Sequence, residues 1–445
     1  MKRLSLLLFV MMVSVFVAAC GNGTNESNTS NNKATATEKI GTTETATAEP
    51  VEVVFWHAMS DTHEKWLEDA TAKFNAEHKN ITVKLVNQGS YGDLSQKLLA
   101  AAKAKASPTI AQAYAEWMTD YNQNNLVVDL APMIKGENGF PADQSYEDIS
   151  EVFRNDNTFG DKILGLPFNK SSRVLFYNKK YFEDNGLTPP TTWEELAASA
   201  KALTKEIDGK KVVGMGFENG MGSEFSMWVE QAGGDFIDEQ QGKVLFNSDA
   251  GLDALTFIND MLKDGSARMA GEDGYMSGPF TRGDVAMYIG SSAGIAYVAK
   301  DAGDMEWSTT PLPKGVKQAA PFQGTNITMF ANSTEAEQEA AFEYMKYLIT
   351  PENTVDWAKT TGYLPVRTSA QQGSDWTSFI AENEPYQAGN TQYAYGFIDV
   401  RLPGSFAMKN AMQAELDKML YENATPAETL EAMAKKGQEA LDQAK

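Results

Sequence analysis

Gly290-Ser291-Ser292-Ala293-Gly294 matches the G-x-S-x-G pattern of a nucleophile elbow, in which a serine stands on a sharp turn between a strand and a helix. Hydrolysis of that kind needs a histidine later in the chain to take the serine proton. The three histidines, His57, His63 and His78, all precede Ser292, so a triad in that order is excluded. The turn keeps another use: free N–H groups and hydroxyls at a helix N-terminus can bind a ligand oxygen. Other catalytic signatures do not appear. There is no GxxxxGK[ST], Gly220 falls one residue too late after Gly214-Met215-Gly216 for GxGxxG, and the histidines have no HExxH or paired metal spacing. The 60 acidic residues are spread over the chain rather than gathered into a localised acid pair. The sequence therefore predicts no catalytic, metal or cofactor site.

Aromatic residues are placed more selectively. Trp56, Tyr91, Tyr114, Trp117, Trp228, Tyr363 and Tyr395 mostly fall at strand ends or in glycine-flanked loops. Such rings pack against the C–H faces of sugars and polyols, while hydroxyls and amides bond their oxygens. Taken one at a time, each is more often a core residue than a ligand contact. His57 and His63 stand as structural or ligand-contacting residues.

Elements able to hold these residues begin abruptly at Val51. Residues 51–56 read as a mostly apolar strand, residues 81–86 as an alternating one, and 109–114 as a third short strand. Between them, Asp61 and Glu64 have capping-box spacing before a helix with Leu67, Ala70 and Phe74 on one face, and residues 94–104 form a helix with Leu98, Leu99 and Ala102 inward. Strand alternating with helix predicts a parallel sheet covered by helices. A second such block follows. It has strands at 173–178, 212–217, 285–289 and 326–331, and helices opened by Thr192, Ser248, Thr334 and Thr425-Pro426-Ala427-Glu428. Two α/β lobes are expected.

Ahead of this body the chain is of another kind. Met1-Lys2-Arg3 and the apolar residues 4–19 read as a secretory leader, shorter than the roughly 20 residues that span a bilayer. It ends in Val17-Ala18-Ala19-Cys20, which resembles the lipobox of bacterial lipoproteins; in that family the thiol carries a diacylglycerol. Cys20 is the only cysteine, so neither an internal disulfide nor a cysteine metal site can form. Residues 21–49 have almost no large apolar side chains and suit a tether of roughly 30 Å mean reach. The expected plan is a leader at 1–19, a lipid-anchored linker at 20–50, and a folded body held at the outer face of the cell membrane. The net charge of −22 opposes nucleic-acid and anionic-lipid partners.

Several short motifs then recur in order: Phe55-Trp56-His57-Ala58-Met59, Gly89-Ser90-Tyr91, Pro167-Phe168-Asn169, Val174-Leu175-Phe176-Tyr177-Asn178-Lys179, Gly283-Asp284-Val285-Ala286-Met287, Thr361-Gly362-Tyr363-Leu364-Pro365 and Arg401-Leu402. Together they resemble the family 1 extracellular solute-binding proteins of ABC importers, nearest to the glycerol-3-phosphate binders and more distantly to the maltose-type binders. The resemblance implies an α/β, periplasmic-binding-protein type II-like fold with a ligand cleft between two lobes. These would be residues 51–166 plus 321–362 and 167–320 plus 363–445, with crossings near 167–169, 313–322 and 362–366. It implies ligand contacts at Tyr91, Ser171 or Ser172, Ser291 or Ser292, Gly324, Tyr363 and Arg401, the last able to pair with a phosphate. Trp56, His57 and Glu116 join this set; the acidic contact of the subgroup matches Ala115, one place before Glu116. The loop Glu218-Asn219-Gly220-Met221-Gly222 lacks the tryptophans of the glycerol-phosphate binders, so a neutral sugar or polyol stays as open as a phosphate ester. The implied partners are a small solute, ABC permease subunits and a lipid anchor, with the chain a monomer and without a cofactor. A secreted carbohydrate-active enzyme and a surface adhesin are the competing classes.

Overall fold

The computed structural model describes residues 50–207 and 209–445; the leader, Cys20 and the 21–49 tether lie outside the described residues. Strand Val51–His57 buries Val53, Phe55 and His57 on one face and runs parallel to Ile81–Asn87 on one side and Ile110–Ala113 on the other. Helices Asp61–Glu77 and Tyr91–Lys103 make the two crossovers, burying Trp66, Leu67 and Phe74 from the first and Leu94, Leu98 and Ala102 from the second. Leu99, expected to face inward, is 48% exposed, because the buried stripe follows the i, i+4 row Leu94, Leu98, Ala102. The Asp61/Glu64 capping box does not form either. Ser60 is the N-cap, without a side-chain cap bond, and Asp61 sits at φ 51° with its carboxylate on Lys300. The capping boxes at Thr334/Glu337 and Thr425/Glu428 are complete, and Thr192 and Ser248 cap their helices.

The first sheet is mixed rather than wholly parallel. Its order is Ile81–Asn87, Val51–His57, Ile110–Ala113, Asn326–Met329, Gly165–Pro167, and Asn326–Met329 is antiparallel to both of its neighbours. The reason lies in its approach: the preceding strand, Ala320–Gln323, belongs to the other sheet, so the chain enters the first sheet from the junction side. That second sheet runs Ala267–Met269, Lys210–Phe217, Val285–Ser291, Ser171–Asn178, Ala320–Gln323, Gly396–Ile398. Each sheet has its own core. Phe55, Phe74, Tyr344 and Trp357 fill one; Leu175, Met215, Trp228, Met287, Met412 and Met433 fill the other.

The chain passes between the sheets at residues 168–170 and again at Gly324-Thr325, just beyond the 313–322 stretch expected to cross. After helix Pro351–Thr361, Leu364 and Val366 still belong to the first core, and the chain rejoins the second sheet at Gly396–Ile398.

Candidate functional site

In α/β sheets ligands gather outside the carboxyl ends of the strands, where the loops diverge. The first sheet ends at His57, Asn87, Ala113 and Pro167 on one edge; the second ends at Phe217, Met269, Ser291 and Gln323. The two short passages join these edges, so the strand ends of both lobes meet at one junction.

Asn169 is the centre of that junction. Its amide nitrogen donates to Tyr91 Oη at 2.9 Å and to Tyr363 Oη at 3.0 Å. Its amide oxygen accepts from Gln112 Nε2 at 3.1 Å and from Thr325 Oγ1. Gln112 in turn accepts from the backbone N–H of Ala58 at 2.8 Å. Both donors and both lone pairs of a fully buried asparagine are thus used. Leu364 N–H donates to the Lys170 carbonyl at 2.7 Å, and Lys170 Nζ reaches Asp156 at 2.6 Å and the Gly324 carbonyl at 3.0 Å. Gly324 sits at φ 121°, and a Cβ there would lie 1.9 Å from the Asn169 carbonyl oxygen, so the two passages touch backbone to backbone. Tyr363 is 9% exposed, with its ring stacked on Trp357 and edge-on to His63. It holds the junction together by its ring as well as by its hydroxyl.

The first-lobe edge is aromatic. Tyr91, Tyr114 and Trp117 form a ladder of edge-on pairs with centroids 5.3 and 5.1 Å apart, which Phe406 continues from the second lobe at 6.0 Å. Burial raises the phenols of Tyr91, Tyr114 and Tyr363, so all three are neutral hydroxyls. Trp56 is half-buried beside this ladder. His57 is 1% exposed, accepts from the Met59 N–H through Nδ1 at 3.3 Å, and is lowered to about 4 by burial, with Glu64 opposing. It is a neutral core imidazole.

The second-lobe edge is polar. Ser172 and Ser292 are buried and locked together: Ser292 N–H donates to the Ser172 carbonyl at 2.9 Å, and Gln392 Nε2 donates to Ser172 Oγ at 2.9 Å. Ser171 is buried beside Gln323, while Ser291 is half-buried with its Oγ accepting from Ala293 N–H at 3.2 Å. Next to them Arg173 pairs with the buried Glu224. Glu218 accepts from Met276 N–H at 3.1 Å and is lifted to about 7 by burial, with Glu224 raising and Arg173 opposing.

Two residues matched to ligand contacts are engaged elsewhere. Arg401 donates through Nη1 to the carbonyls of Asn155 and, at 3.1 Å, Thr158, and lies over the Phe159 ring. Glu116 lies 3.6 Å from Lys409, which also pairs with Asp399 at 2.9 Å; burial raises the Glu116 carboxyl against the Lys409 charge. Both therefore join the lobes to each other along one flank. A separate contact between the lobes is made by Tyr297, which bonds His63 Nδ1 at 3.0 Å and Ser60 at 3.2 Å. Two shallow surface depressions, one beside Asp61, Trp66 and Lys300 and one beside Ser150, Asn155 and Phe397, lie off the junction. Gln112, Thr325, Arg173, Glu224 and Lys409 were not among the residues singled out from the sequence, and Asn169 and Glu218 entered only as members of longer stretches. The available signal was a glutamine in the otherwise apolar strand Ile110–Ala113, since a buried amide needs partners.

Two mixed α/β lobes joined at the carboxyl ends of their strands define a two-lobed binding protein. The chain matches the model of the bacterial extracellular solute-binding proteins over residues 69–383 and belongs to that family. It is 25% identical over 408 residues to the sn-glycerol-3-phosphate-binding periplasmic protein UgpB of Pectobacterium atrosepticum, spanning 87% of this chain and 90% of that protein. Among solved structures it is similar to UgpB from Mycobacterium tuberculosis in complex with glycerophosphocholine, with a TM-score of 0.79 at 20% identity over 89% of this chain and 99% of that one. It is also similar to the cyclic alpha-maltosyl-1,6-maltose binding protein from Arthrobacter globiformis, with a TM-score of 0.75 at 24% identity over 88% of this chain and 100% of that one.

Proposed function

We propose that this chain is the solute-capturing subunit of an ABC importer, which takes up a sugar, a polyol or a glycerol phosphate between its lobes and hands it to a membrane permease without chemical change. The observation that carries this reading is the junction itself: aromatic faces from one lobe and hydroxyl, guanidinium and carboxylate groups from the other converge where two chain passages meet. Ligand touching both lobes favours the closed arrangement, and a hinge at residues 168–170 and Gly324-Thr325 lets one lobe swing on the other. Tyr91, Tyr114, Ser291 and Trp117 are the contacts this reading puts first; Trp56, Tyr363, Ser171, Ser172, Ser292 and Gly324 support them, and Arg401, Glu116 and His57 hold the frame. The unit acts as a monomer.

A thermal-shift screen over sugars, polyols and phosphodiesters tests the reading. A true ligand at about 100 times its dissociation constant stabilises the protein by roughly 2.7 kcal/mol. No shift with any of them, together with turnover of a glycoside, would favour an enzyme instead. The leader and Cys20 support a diacylglycerol anchor at the outer face of the cell membrane. Cys20→Ala is expected to release the protein from the membrane fraction with ligand binding intact; retention in that fraction sinks the anchor.

A further inference from the structure

The charges at the junction can be followed one by one. Lys170 is 2% exposed and pairs with Asp156 at 2.6 Å and the Gly324 carbonyl at 3.0 Å. Lys409 is 8% exposed and lies between Asp399 at 2.9 Å and Glu116 at 3.6 Å. Arg401 is held by the Asn155 and Thr158 carbonyls. Arg173 pairs with Glu224 through Nη2. Each cation buried or half-buried among the described residues of this junction therefore has an oxygen partner already, and Glu218 adds a further carboxyl without a cation in hydrogen-bond contact. A phosphate taking Lys170, Lys409 or Arg173 would draw that cation off a carboxylate and leave the carboxylate desolvated, a change that costs more than the new pair returns, while Arg401 is turned to backbone carbonyls of the first lobe.

The unused hydrogen-bonding positions point to a different ligand. Arg173 Nε is buried without a partner, so its N–H is an unused donor, as is that of Arg401 Nε on the flank. Glu218 bonds Met276 N–H through Oε2, which leaves Oε1 as an acceptor. Ser291 Oγ accepts from Ala293 N–H and keeps its own proton to donate. A hydroxyl both donates and accepts, so it satisfies a carboxylate and an N–H at once; a phosphate ester oxygen only accepts and is repelled by Glu218 and Glu224 in their charged forms. Tyr114 follows the carboxyl end of strand Ile110–Ala113, and Arg173 pairs in register with Ser291 at the carboxyl end of Val285–Ser291, so the aromatic ladder and this cluster stand on the two strand edges that the short passages join. Stacking faces opposite a mixed donor–acceptor set suit the apolar and hydroxylated faces of a sugar ring.

We propose that the cleft selects an uncharged saccharide or polyol over its phosphorylated counterpart, with Arg173, Glu218 and Glu224 as the specificity-determining cluster of the second lobe. The proposal rests on the solute-binding reading above and narrows it to one ligand class.

Calorimetric titration of the full chain with matched pairs tests it: glucose against glucose 6-phosphate, glycerol against sn-glycerol 3-phosphate, and maltose with a cyclic maltosyl-maltose against glycerophosphocholine. The expected result is binding of at least one neutral member, with its phosphorylated counterpart at least about tenfold weaker. A phosphorylated member binding more tightly than its neutral counterpart overturns this proposal and leaves the solute-binding reading standing. Heat from none of the compounds counts against the solute-binding reading itself. Glu218→Gln, which keeps the shape and removes the carboxylate, should weaken the neutral ligand about tenfold and narrow the discrimination against the phosphorylated one. Arg173→Lys, which keeps the charge beside Glu224 and loses the Nε donor, should weaken neutral binding to a similar degree. Discrimination and affinity unchanged in both variants, with circular dichroism matching wild type, would remove the cluster from recognition.

Discussion

The two lobes face each other with different chemistry. The first-lobe edge offers rings and an amide, Tyr91, Tyr114, Trp117 and Gln112, and its polar groups are tied through Asn169 of the passage into a neutral hydrogen-bond network. The second-lobe edge offers charge in the pair Arg173–Glu224 and in Glu218. A ring surface recognises shape and tolerates many ligands of that shape, whereas a buried charge cluster penalises any ligand that leaves one of its groups unpaired. Affinity should thus depend mainly on the first edge and selectivity on the second. Where the lobes meet along the flank the two chemistries mix, since Glu116 of the first lobe lies against Lys409 and Asp399 of the second.

That flank is where a single change should do most. Lys409 is 8% exposed, and its ammonium stands between two carboxylates that are each 13% exposed. Lys409→Met leaves Glu116 and Asp399 facing each other without a cation. Urea unfolding should show a loss of about 3–5 kcal/mol. The double variant Lys409→Met/Glu116→Gln should recover part of it, because one of the stranded charges is gone. A single-variant loss below about 1 kcal/mol would mean that the lobes are not coupled through this cluster.

Binding should respond next, through the rings. Tyr114 pairs edge-on with both Tyr91 and Trp117 and is the middle ring of the ladder. Tyr114→Ala should weaken a bound saccharide by about 2 kcal/mol, the worth of burying one large apolar face. The phosphorylated counterpart should lose as much, so the ratio between them stays put. If instead the ratio changes and the neutral affinity does not, the division of labour between the two edges is the wrong way round.

How far this was legible in the sequence depends on the residue. The caps at Thr192, Ser248, Thr334 and Thr425, the strand–helix alternation of the first block and the two-lobed plan follow from local patterns, since a cap acts over three or four residues. The direction of Asn326–Met329 did not follow, because it is set by its entry from Ala320–Gln323 in the other sheet. The serine turn, Tyr91 and Tyr114 do lie at the junction. Arg401 and Glu116 were read as free to meet a ligand, yet their partners stand hundreds of positions away in the chain. Spacing carries no information about such pairings. Asn169 appeared only as part of a motif, although its amide joins residues from Tyr91 to Tyr363.

The smallest expected effect lies in the pH dependence of stability, and it isolates Glu218. Burial lifts this carboxyl from 4.5 to about 7, Glu224 adds to the lift, and Arg173 opposes it. Strand Val285–Ser291 adds Tyr288, whose phenol is raised by burial and by the Glu218 charge and stays neutral here. The folded state therefore holds the Glu218 proton more tightly than the unfolded chain does. With a raised carboxyl, the favourable contribution is greatest at low pH and is lost as pH rises through the window from about 4.5 to about 7. Between pH 6 and 8 part of that loss should remain visible, on the order of 1 kcal/mol. His57, lowered to about 4 by burial, changes stability mainly below that interval and does so equally in both proteins. The comparison is therefore urea unfolding of wild type and Glu218→Gln at the two pH values. Wild type should lose about 1 kcal/mol more than the variant on going from pH 6 to 8, because glutamine has no proton to give up. Parallel slopes would mean that Glu218 is ionised throughout this range, with Arg173 shared between two carboxylates. A variant that loses more than wild type would reverse the sign and place the stabilised form of Glu218 on the charged side.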